Sequence, residues 1–146
     1  IYIQRWKRNK TINKKNNMAT LKPTLTLFSS DISSDELNFT ITDSLTTGQD
    51  YRALARTTVS NVGANNIIQP STDGQTYYLY VKHTGTTDGS TATTETLGVE
   101  LTTDIPFGKL SAGEFCFVPV GGHSLGVQLQ ASSGTIVAEY AYFVKG

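Results

Sequence analysis

The chain has 146 residues, enough for one domain with a hydrophobic core of its own. Apolar residues make up 38% of it and charged residues only 16%, below the usual quarter, and threonine and serine are abundant instead. The single cysteine excludes an internal disulfide framework and a cysteine-based zinc site, and two histidines are too few for a site of several histidine ligands. No run approaches the roughly 18 apolar residues of a membrane-spanning helix, so no membrane partner is expected.

The net charge of zero conceals two segments of opposite character. Residues 1–17 hold six basic residues and no acid, whereas residues 18–146 hold six basic and twelve acidic residues, a net charge of −6. We interpret residues 1–17 as a disordered leader or as read-through upstream of a start at Met18, and exclude them from the fold. The alternative is a basic arm that binds nucleic acid, with Trp6 stacked on bases. Nucleic acid is not an expected partner of residues 18–146, which are predicted to form a single domain.

From residue 18 onward, short segments alternate polar and apolar residues or are dense in aromatic and β-branched residues, as strands are. In the second such segment Leu37, Phe39 and Ile41 share one face. The predicted strands are residues 24–28, 37–42, 65–69, 75–83, 97–102, 115–120, 125–130 and 136–144.

The segments between these strands are predicted to be loops, turns or an edge strand. Residues 43–50 are predicted to be a loop, and residues 51–56 a helical turn before the β-branched segment 57–60. Residues 84–96 are rich in threonine, glycine and serine, so they are predicted to be an exposed, mobile tip. Residues 104–108 are predicted to be a turn or an edge strand.

Eight or nine short strands, spaced about ten residues apart with no amphipathic helix, predict an all-β fold. We expect an antiparallel two-sheet sandwich, jelly-roll-like, that comprises residues 18–146. One face of each sheet would form the core, and the outer faces could expose threonine and serine.

Few side chains could carry catalysis. Ser124 is not expected to be a nucleophile, because the nucleophile elbow needs a strand-to-helix turn in an α/β sheet and a strand is predicted to follow. His123 is interpreted as a polar loop residue, and His83, at the end of a strand, as a surface residue. Cys116 is predicted to be a buried, inert thiol, with a position near the surface as the alternative.

Two further groups of side chains admit a binding role. The acids of one polar turn are predicted to be solvated, with weak calcium binding as the alternative; they are Asp31, Asp35 and Glu36. Two of the three tyrosines in the strand 75–83 are expected to serve the core, with a sugar-stacking platform as the alternative; they are Tyr77, Tyr78 and Tyr80. No catalytic, cofactor-binding or metal-binding residue is therefore predicted, and the chain is not expected to be an enzyme or to need a cofactor.

Three stretches of residues 18–146 carry a resemblance. They are MATLKPTLTL at 18–27, LSAGEFCFVPV at 110–120 and VAEYAYFVK at 137–145. In these stretches the chain resembles small virion structural proteins of tailed bacteriophages, particularly those of marine and cyanobacterial phages. The resemblance implies a β-sandwich component of the shell or of an appendage, located in the virion, that self-associates.

The expected function is that of a capsid decoration or cement protein, a homotrimer that also contacts the major capsid protein or other virion proteins. The net charge of −6 favours a position outside the packaged DNA. The alternative is a tail, neck or fibre module that binds a host-surface glycan through the tyrosines or through residues 84–96. A glycan hydrolase would need two carboxylates at catalytic spacing, and the sequence pairs none.

Overall fold

The structure, a computed structural model, describes residues 18–63, 65–70, 72, 74–102, 105–121 and 126–146. Within these ranges the chain forms eleven strands, and no helix there is long and apolar enough to cross a membrane. The strands are β1 (Ala19–Leu21), β2 (Thr24–Ser29), β3 (Leu37–Thr42), β4 (Leu45–Ser60), β5 (Asn65–Ile68), β6 (Tyr77–His83), β7 (Leu97–Leu101), β8 (Ile105–Leu110), β9 (Phe115–Val120), β10 (Val127–Ala131) and β11 (Thr135–Lys145). The predicted leader, residues 1–17, lies outside the described residues.

Eight of the strands, β4 to β11, fold as one long hairpin that is rolled into two sheets. In this hairpin β4 pairs with β11, β5 with β10, β6 with β9 and β7 with β8, all antiparallel. Rolling adds the pairs β11–β6 and β10–β7, which gives the orders β4-β11-β6-β9 and β5-β10-β7-β8. This nesting is the jelly-roll arrangement, so the predicted antiparallel two-sheet sandwich is confirmed. The predicted eight or nine strands are too few, because the described residues form eleven, with β1, β4 and β8 outside the eight segments predicted as strands. β1 extends the first sheet beside β4, and β2 and β3 form a separate hairpin.

The core lies between the two sheets and is built from the inward-facing alternate residues of both. The five-stranded sheet contributes the fully buried Leu79, Val81 and Ile136, and the four-stranded sheet contributes Leu97 and Leu129. Burial of each such side chain stabilises the fold by about 1.5–3 kcal/mol. The other members of the core are Val59, Ile67, Ile68, Val99, Leu110, Val127, Ala131 and Ala138. The remaining alternate residues of the strands lie on the outer faces of the two sheets.

The longest strand, β4, overturns two local predictions. Residues 43–50, predicted to be a loop, and residues 51–56, predicted to be a helical turn, belong mostly to this single strand. β11 pairs along it from Thr135 opposite Ser60 to Lys145 opposite Thr47, with two irregularities in register. The hydrogen bonds of this long ladder outweigh the helix propensity of the alanine, leucine and arginine residues at 52–56.

Candidate functional site

His83 is predicted from its place at a strand end to lie on the surface, and this prediction is wrong, because its ring is 0% exposed. Its Nδ1 accepts a hydrogen bond from the Gly85 N–H at 2.8 Å, and its Nε2 lies 2.8 Å from the carbonyl oxygen of Glu95. A backbone N–H can only donate, so Nδ1 is the acceptor and Nε2 carries the proton. Gly85 has a positive φ of 82°, which turns the chain back towards the ring. His83 therefore ties both ends of the segment 84–96 to the body.

Residues 84–96, predicted to be an exposed, mobile tip, are hydrogen-bonded to the body. The Val137 N–H of β11 donates to the Thr86 carbonyl oxygen at 2.8 Å, and a β-bridge closes the tip. At its exposed end, the carboxylate of Asp88 accepts the N–H groups of Thr91 and Ser90 at 2.7 and 2.9 Å and both of their hydroxyls. These bonds, that of the Thr91 N–H first, hold the pKa of Asp88 well below its usual value. Hydrogen bonds, and not apolar packing, therefore hold residues 84–96 in place.

Strand β9 turns its cysteine inward. Cys116 is half-buried and packs against the core, a position between the two alternatives predicted for it. Burial raises the pKa of its thiol, and a hydrogen bond with the Val81 backbone offsets part of that rise. The flanking Phe115 and Phe117 point to the opposite side and are 59% and 39% exposed.

The three tyrosines of β6 divide between the two sides of the sheet. Tyr77 packs against the core and makes an edge contact with Tyr142, with ring centroids 5.7 Å apart. Tyr78 and Tyr80 lie on the outer side, because residues two apart in a strand share a face. Tyr78 is buried there, under Phe117. Two of the three tyrosines are expected in the core, and only Tyr77 packs there. Tyr78 is also buried, but by Phe117 on the outer side of the sheet.

The other predicted candidates form no metal centre within the described ranges. Asp31 in the acidic turn is exposed and accepts the Ser29 hydroxyl at 2.8 Å, and no group of three or more His, Cys, Asp or Glu residues among the described residues could hold a metal ion. His123 and Ser124 lie outside the described residues. Residues 122–126 have the spacing Gly-x-Ser-x-Gly that surrounds the serine of a nucleophile elbow. The chain then continues into strand β10, and not into the helix that such an elbow requires.

The first uncovered surface is one side of the β2–β3 hairpin. Its register places Leu25 opposite Ile41 and Leu27 opposite Phe39, on the same side. These four side chains, here called the hairpin face, are between 39% and 57% exposed. A two-stranded hairpin is marginally stable in water unless its apolar side packs on something. The hairpin face is therefore an apolar contact surface that the described part of the chain leaves open.

The opposite side of the hairpin is lined mostly by hydroxyl groups. Threonine hydroxyls pair across the strands, Thr24 with Thr42 at 3.1 Å and Thr26 with Thr40 at 2.9 Å. Phe28 lies on this side near the tip and is 62% exposed. The turn at residues 30–36 is exposed and carries the three acids named above together with Ile32. The hairpin thus has one apolar side, one side lined mostly by hydroxyls, and a tip with three acidic residues.

The second uncovered surface lies on the outer side of the five-stranded sheet, at the β9 edge. The rings of Tyr78 and Phe117 stack with centroids 6.1 Å apart, and those of Tyr80 and Phe115 lie 6.4 Å apart. These four rings are here called the aromatic face. Its two phenylalanines, Phe115 and Phe117, are 59% and 39% exposed. This side of the sheet is therefore aromatic, and not rich in threonine and serine as expected.

Basic side chains adjoin the aromatic face. Lys145 Nζ lies 5.1 Å from the centroid of the Tyr78 ring, a cation–π contact. Lys82 stands opposite Phe115 in the β6–β9 register. Arg56 forms a salt bridge of 3.1 Å with Glu139. Among these residues three positive charges face one negative charge, although residues 18–146 are acidic overall.

The carboxylate of Glu139 also sets the state of Tyr80. The Tyr80 hydroxyl donates to Glu139 Oε1 at 3.3 Å. Burial first, and then the charge of Glu139, raise the pKa of Tyr80 above its usual value. Both effects favour the neutral phenol, which is the form that donates the hydrogen bond to Glu139.

A polar depression of about 220 Å³ lies on the outer side of the four-stranded sheet. Gly98 makes room for the carboxylate of Glu100, because a methyl group there would come within 2.9 Å of it. Glu100 also accepts the side-chain N–H of Gln128 at 3.0 Å. The residues that line the depression are Thr96, Gly98, Glu100, Pro106, Gly108, Lys109, Gln130, Ala131 and Ser132. The depression offers hydrogen-bonding groups and no aromatic ring.

The chain matches no model of a known protein family, no curated protein and no solved structure. The alternation of Leu37, Phe39 and Ile41 predicts the apolar side of the hairpin, although not that it stays open. The aromatic face is missed, because residues 115–120 are apolar on both sides and alternation does not tell which side points outward.

Proposed function

We propose that this chain is a non-enzymatic structural protein of a phage virion, a capsid decoration or cement protein that stabilises the shell through self-association and capsid contacts. The observation that supports this best is the hairpin face, an apolar surface on a separate hairpin that the described residues of the chain leave open. Such a surface is typical of an element that docks on another molecule.

The body of the protein suits this role. Jelly-roll sandwiches build viral capsid domains, and also lectins, so the fold supports the proposal without deciding it. The resemblance of residues 18–27, 110–120 and 137–145 to virion proteins of tailed phages points to a virion setting. The net charge of −6 favours the outer surface of the shell, away from the packaged DNA.

The mechanism in this proposal is passive. A homotrimer that also contacts the major capsid protein bridges neighbouring capsid subunits, and the surface buried at each contact adds to the free energy needed to open the shell. No reaction or cofactor is involved.

Copy number in purified particles tests the proposal directly. Quantitative mass spectrometry would compare peptides of this chain with those of the major capsid protein. We expect a ratio near one or a simple fraction such as one third, as a protein spread over the whole lattice requires. A few copies per particle would move the protein to the neck, tail or fibre, and absence from complete particles would overturn the virion role.

Matched hairpin variants test whether the hairpin face supports the function. Leu25→Ser with Ile41→Ser makes one cross-strand pair of the hairpin face polar, and Thr24→Ser with Thr42→Ser changes the neighbouring pair, on the opposite side of the hairpin. Added to particles that lack the protein, the first variant should fail to restore resistance to heating and the second should restore it. Equal restoration by both variants would contradict the role of the hairpin face.

A second candidate function is binding of a host-surface glycan by a tail, neck or fibre module. The polar depression favours it, because carboxylate, amide and hydroxyl groups are suited to hydrogen bonding with sugar hydroxyls. A glycan array would test it, with Glu100→Ala as the variant and Glu114→Ala, exposed in the turn between β8 and β9, as the control. Glycan binding that is lost in the first variant and kept in the second would favour this function over decoration.

A further inference from the structure

We propose that the hairpin face of one copy packs on the aromatic face of a second copy of this chain. The proposal rests on the self-association in the proposed function and names the two surfaces that produce it. Both surfaces are apolar, and the described residues of a single copy leave both open.

The hairpin is connected to one edge of the five-stranded sheet, and the aromatic face lies at the opposite edge. The strand order β1-β4-β11-β6-β9 places the hairpin, which follows β1, at one edge, and the aromatic face at the other edge with β9. Two residues connect β1 to β2 and two connect β3 to β4, and the Asp43 N–H bonds to the Pro23 carbonyl oxygen at 3.2 Å between these connections. The short, paired connections keep the hairpin at the β1 edge, so the aromatic face that it meets belongs to another copy.

The two surfaces also match in size. With side chains of about 200 Å² each and the exposed fractions of these residues, each surface offers roughly 300 Å² of apolar area. That is the size of the larger apolar patches on soluble proteins. Their contact would bury about 600 Å² of apolar surface, half of the roughly 1,200 Å² that a stable interface needs, and polar groups around it would supply the rest.

Charge favours the same pairing. The hairpin tip carries three acids, and the outer side of the sheet carries Arg56, Lys82 and Lys145 against Glu139. Residues 18–146 have a net charge of −6, but these four side chains give this side of the sheet a net positive charge. An acidic tip that approaches it is attracted, whereas two hairpin tips that approach each other repel.

A contact between two different surfaces of one chain is a head-to-tail contact. It forms a closed ring when the rotation between copies allows, and an open filament when it does not. The expected homotrimer is such a ring, in which every copy donates one hairpin and accepts another.

Single-cysteine chains test the contact. All variants carry Cys116→Ala, so that the introduced thiol is alone in its chain. Leu27→Cys chains are mixed with Phe117→Cys chains and oxidised, and a disulfide forms only where the Cβ atoms approach within about 4.5 Å. We expect a cross-linked species that contains one chain of each kind and is lost on reduction. The control replaces Leu27→Cys by Thr26→Cys, on the opposite side of β2, and should lose the cross-link.

Each of the other possible results of these measurements would refute either the proposed contact or the proposed function. A cross-link between two Leu27→Cys chains would show that hairpins pack on each other, and a cross-link only in a chain that carries both cysteines would show packing within one copy; either result refutes the proposal. An oligomer by native mass spectrometry without the mixed cross-link would refute the proposed surfaces and leave the proposed function standing. A monomer that does not bind particles would refute both. As an independent readout, Leu27→Ser should weaken association by about tenfold, the effect of one well-packed interface side chain.

Discussion

Replacing His83 tests the most buried polar side chain of the structure. His83→Leu keeps an apolar side chain of similar size but removes the acceptor for the Gly85 N–H and the donor to the Glu95 carbonyl oxygen. Loss of a partner for a buried backbone group costs about 1–3 kcal/mol. Gly85 and Glu95 are only half-buried, so water can partly replace the lost bonds, and we expect a total near 3 kcal/mol.

Two further variants separate the two hydrogen bonds. His83→Asn can place its amide oxygen near the position of Nδ1, and His83→Gln can place its amide nitrogen near that of Nε2. Each variant therefore keeps one bond and should lose about half as much stability as His83→Leu.

Thermal unfolding at one fixed protein concentration measures the effect, because self-association itself raises Tm. For a chain of this size, about 3 kcal/mol corresponds to a fall in Tm of roughly 10 °C. Thr94→Leu, at an exposed position of the same segment, is the control and should change Tm by no more than about 2 °C. If His83→Leu melts like Thr94→Leu, the ring does not anchor residues 84–96 and the reasoning fails.

Three further predictions follow from the pKa shifts. The pKa of Asp88 is held low, so its carboxylate stabilises the fold fully above the usual value of 3.8 and the contribution is lost as pH falls below that value. The difference in urea midpoint between the wild type and Asp88→Asn should therefore be constant from pH 7 to about 5 and shrink in acid; a constant difference would contradict it. The pKa of Tyr80 is raised, so its contribution is complete below the usual value of 10 and disappears as pH rises through the folded pKa. In an absorbance titration Tyr80→Phe should remove a phenol that ionises above the usual value, and Glu139→Gln should make that phenol ionise earlier. The raised pKa of Cys116 predicts slower alkylation by iodoacetamide at pH 8.5 than for a Ser90→Cys chain that carries Cys116→Ala, and equal rates would refute the burial of the thiol.

Periodicity predicted the strands wherever it was strict. In residues 24–28 and 37–42 one side chain in two is apolar, and β2 and β3 form there. The same rule could also have placed His83, because Leu79 and Val81 share its face and both belong to the core. The polar ring of His83 and its place at the strand end point to the surface instead. The backbone groups that bond to the ring, those of Gly85 and Glu95, belong to a turn and a loop that the sequence pattern does not position.

The remainder depends on contacts that are distant in sequence. β4 forms because β11, some eighty residues away, pairs along it, and no local pattern in residues 45–56 contains that information. The outward direction of Phe115 and Phe117 is decided by the pairing of β9 with β6, which turns Cys116 and Val118 towards the core. Both uncovered surfaces therefore become visible only when the sheet order is known.

The edge beside the aromatic face and the edges of the four-stranded sheet favour association through side-chain faces over association by strand addition. In the five-stranded sheet the edge strand beside the aromatic face, β9, contains Pro119, whereas at the far edge β1 pairs with only residues 45–47 of the longer strand β4. In the four-stranded sheet one edge strand, β5, has four residues, and the other, β8, contains Pro106 next to a shift in register. Short strands, proline and bulges are the features that prevent a further strand from pairing with an edge. An incoming hairpin then has little backbone to pair with at these edges, whereas the rings of the aromatic face remain open to its apolar side, so a contact between copies would be specified by side-chain packing.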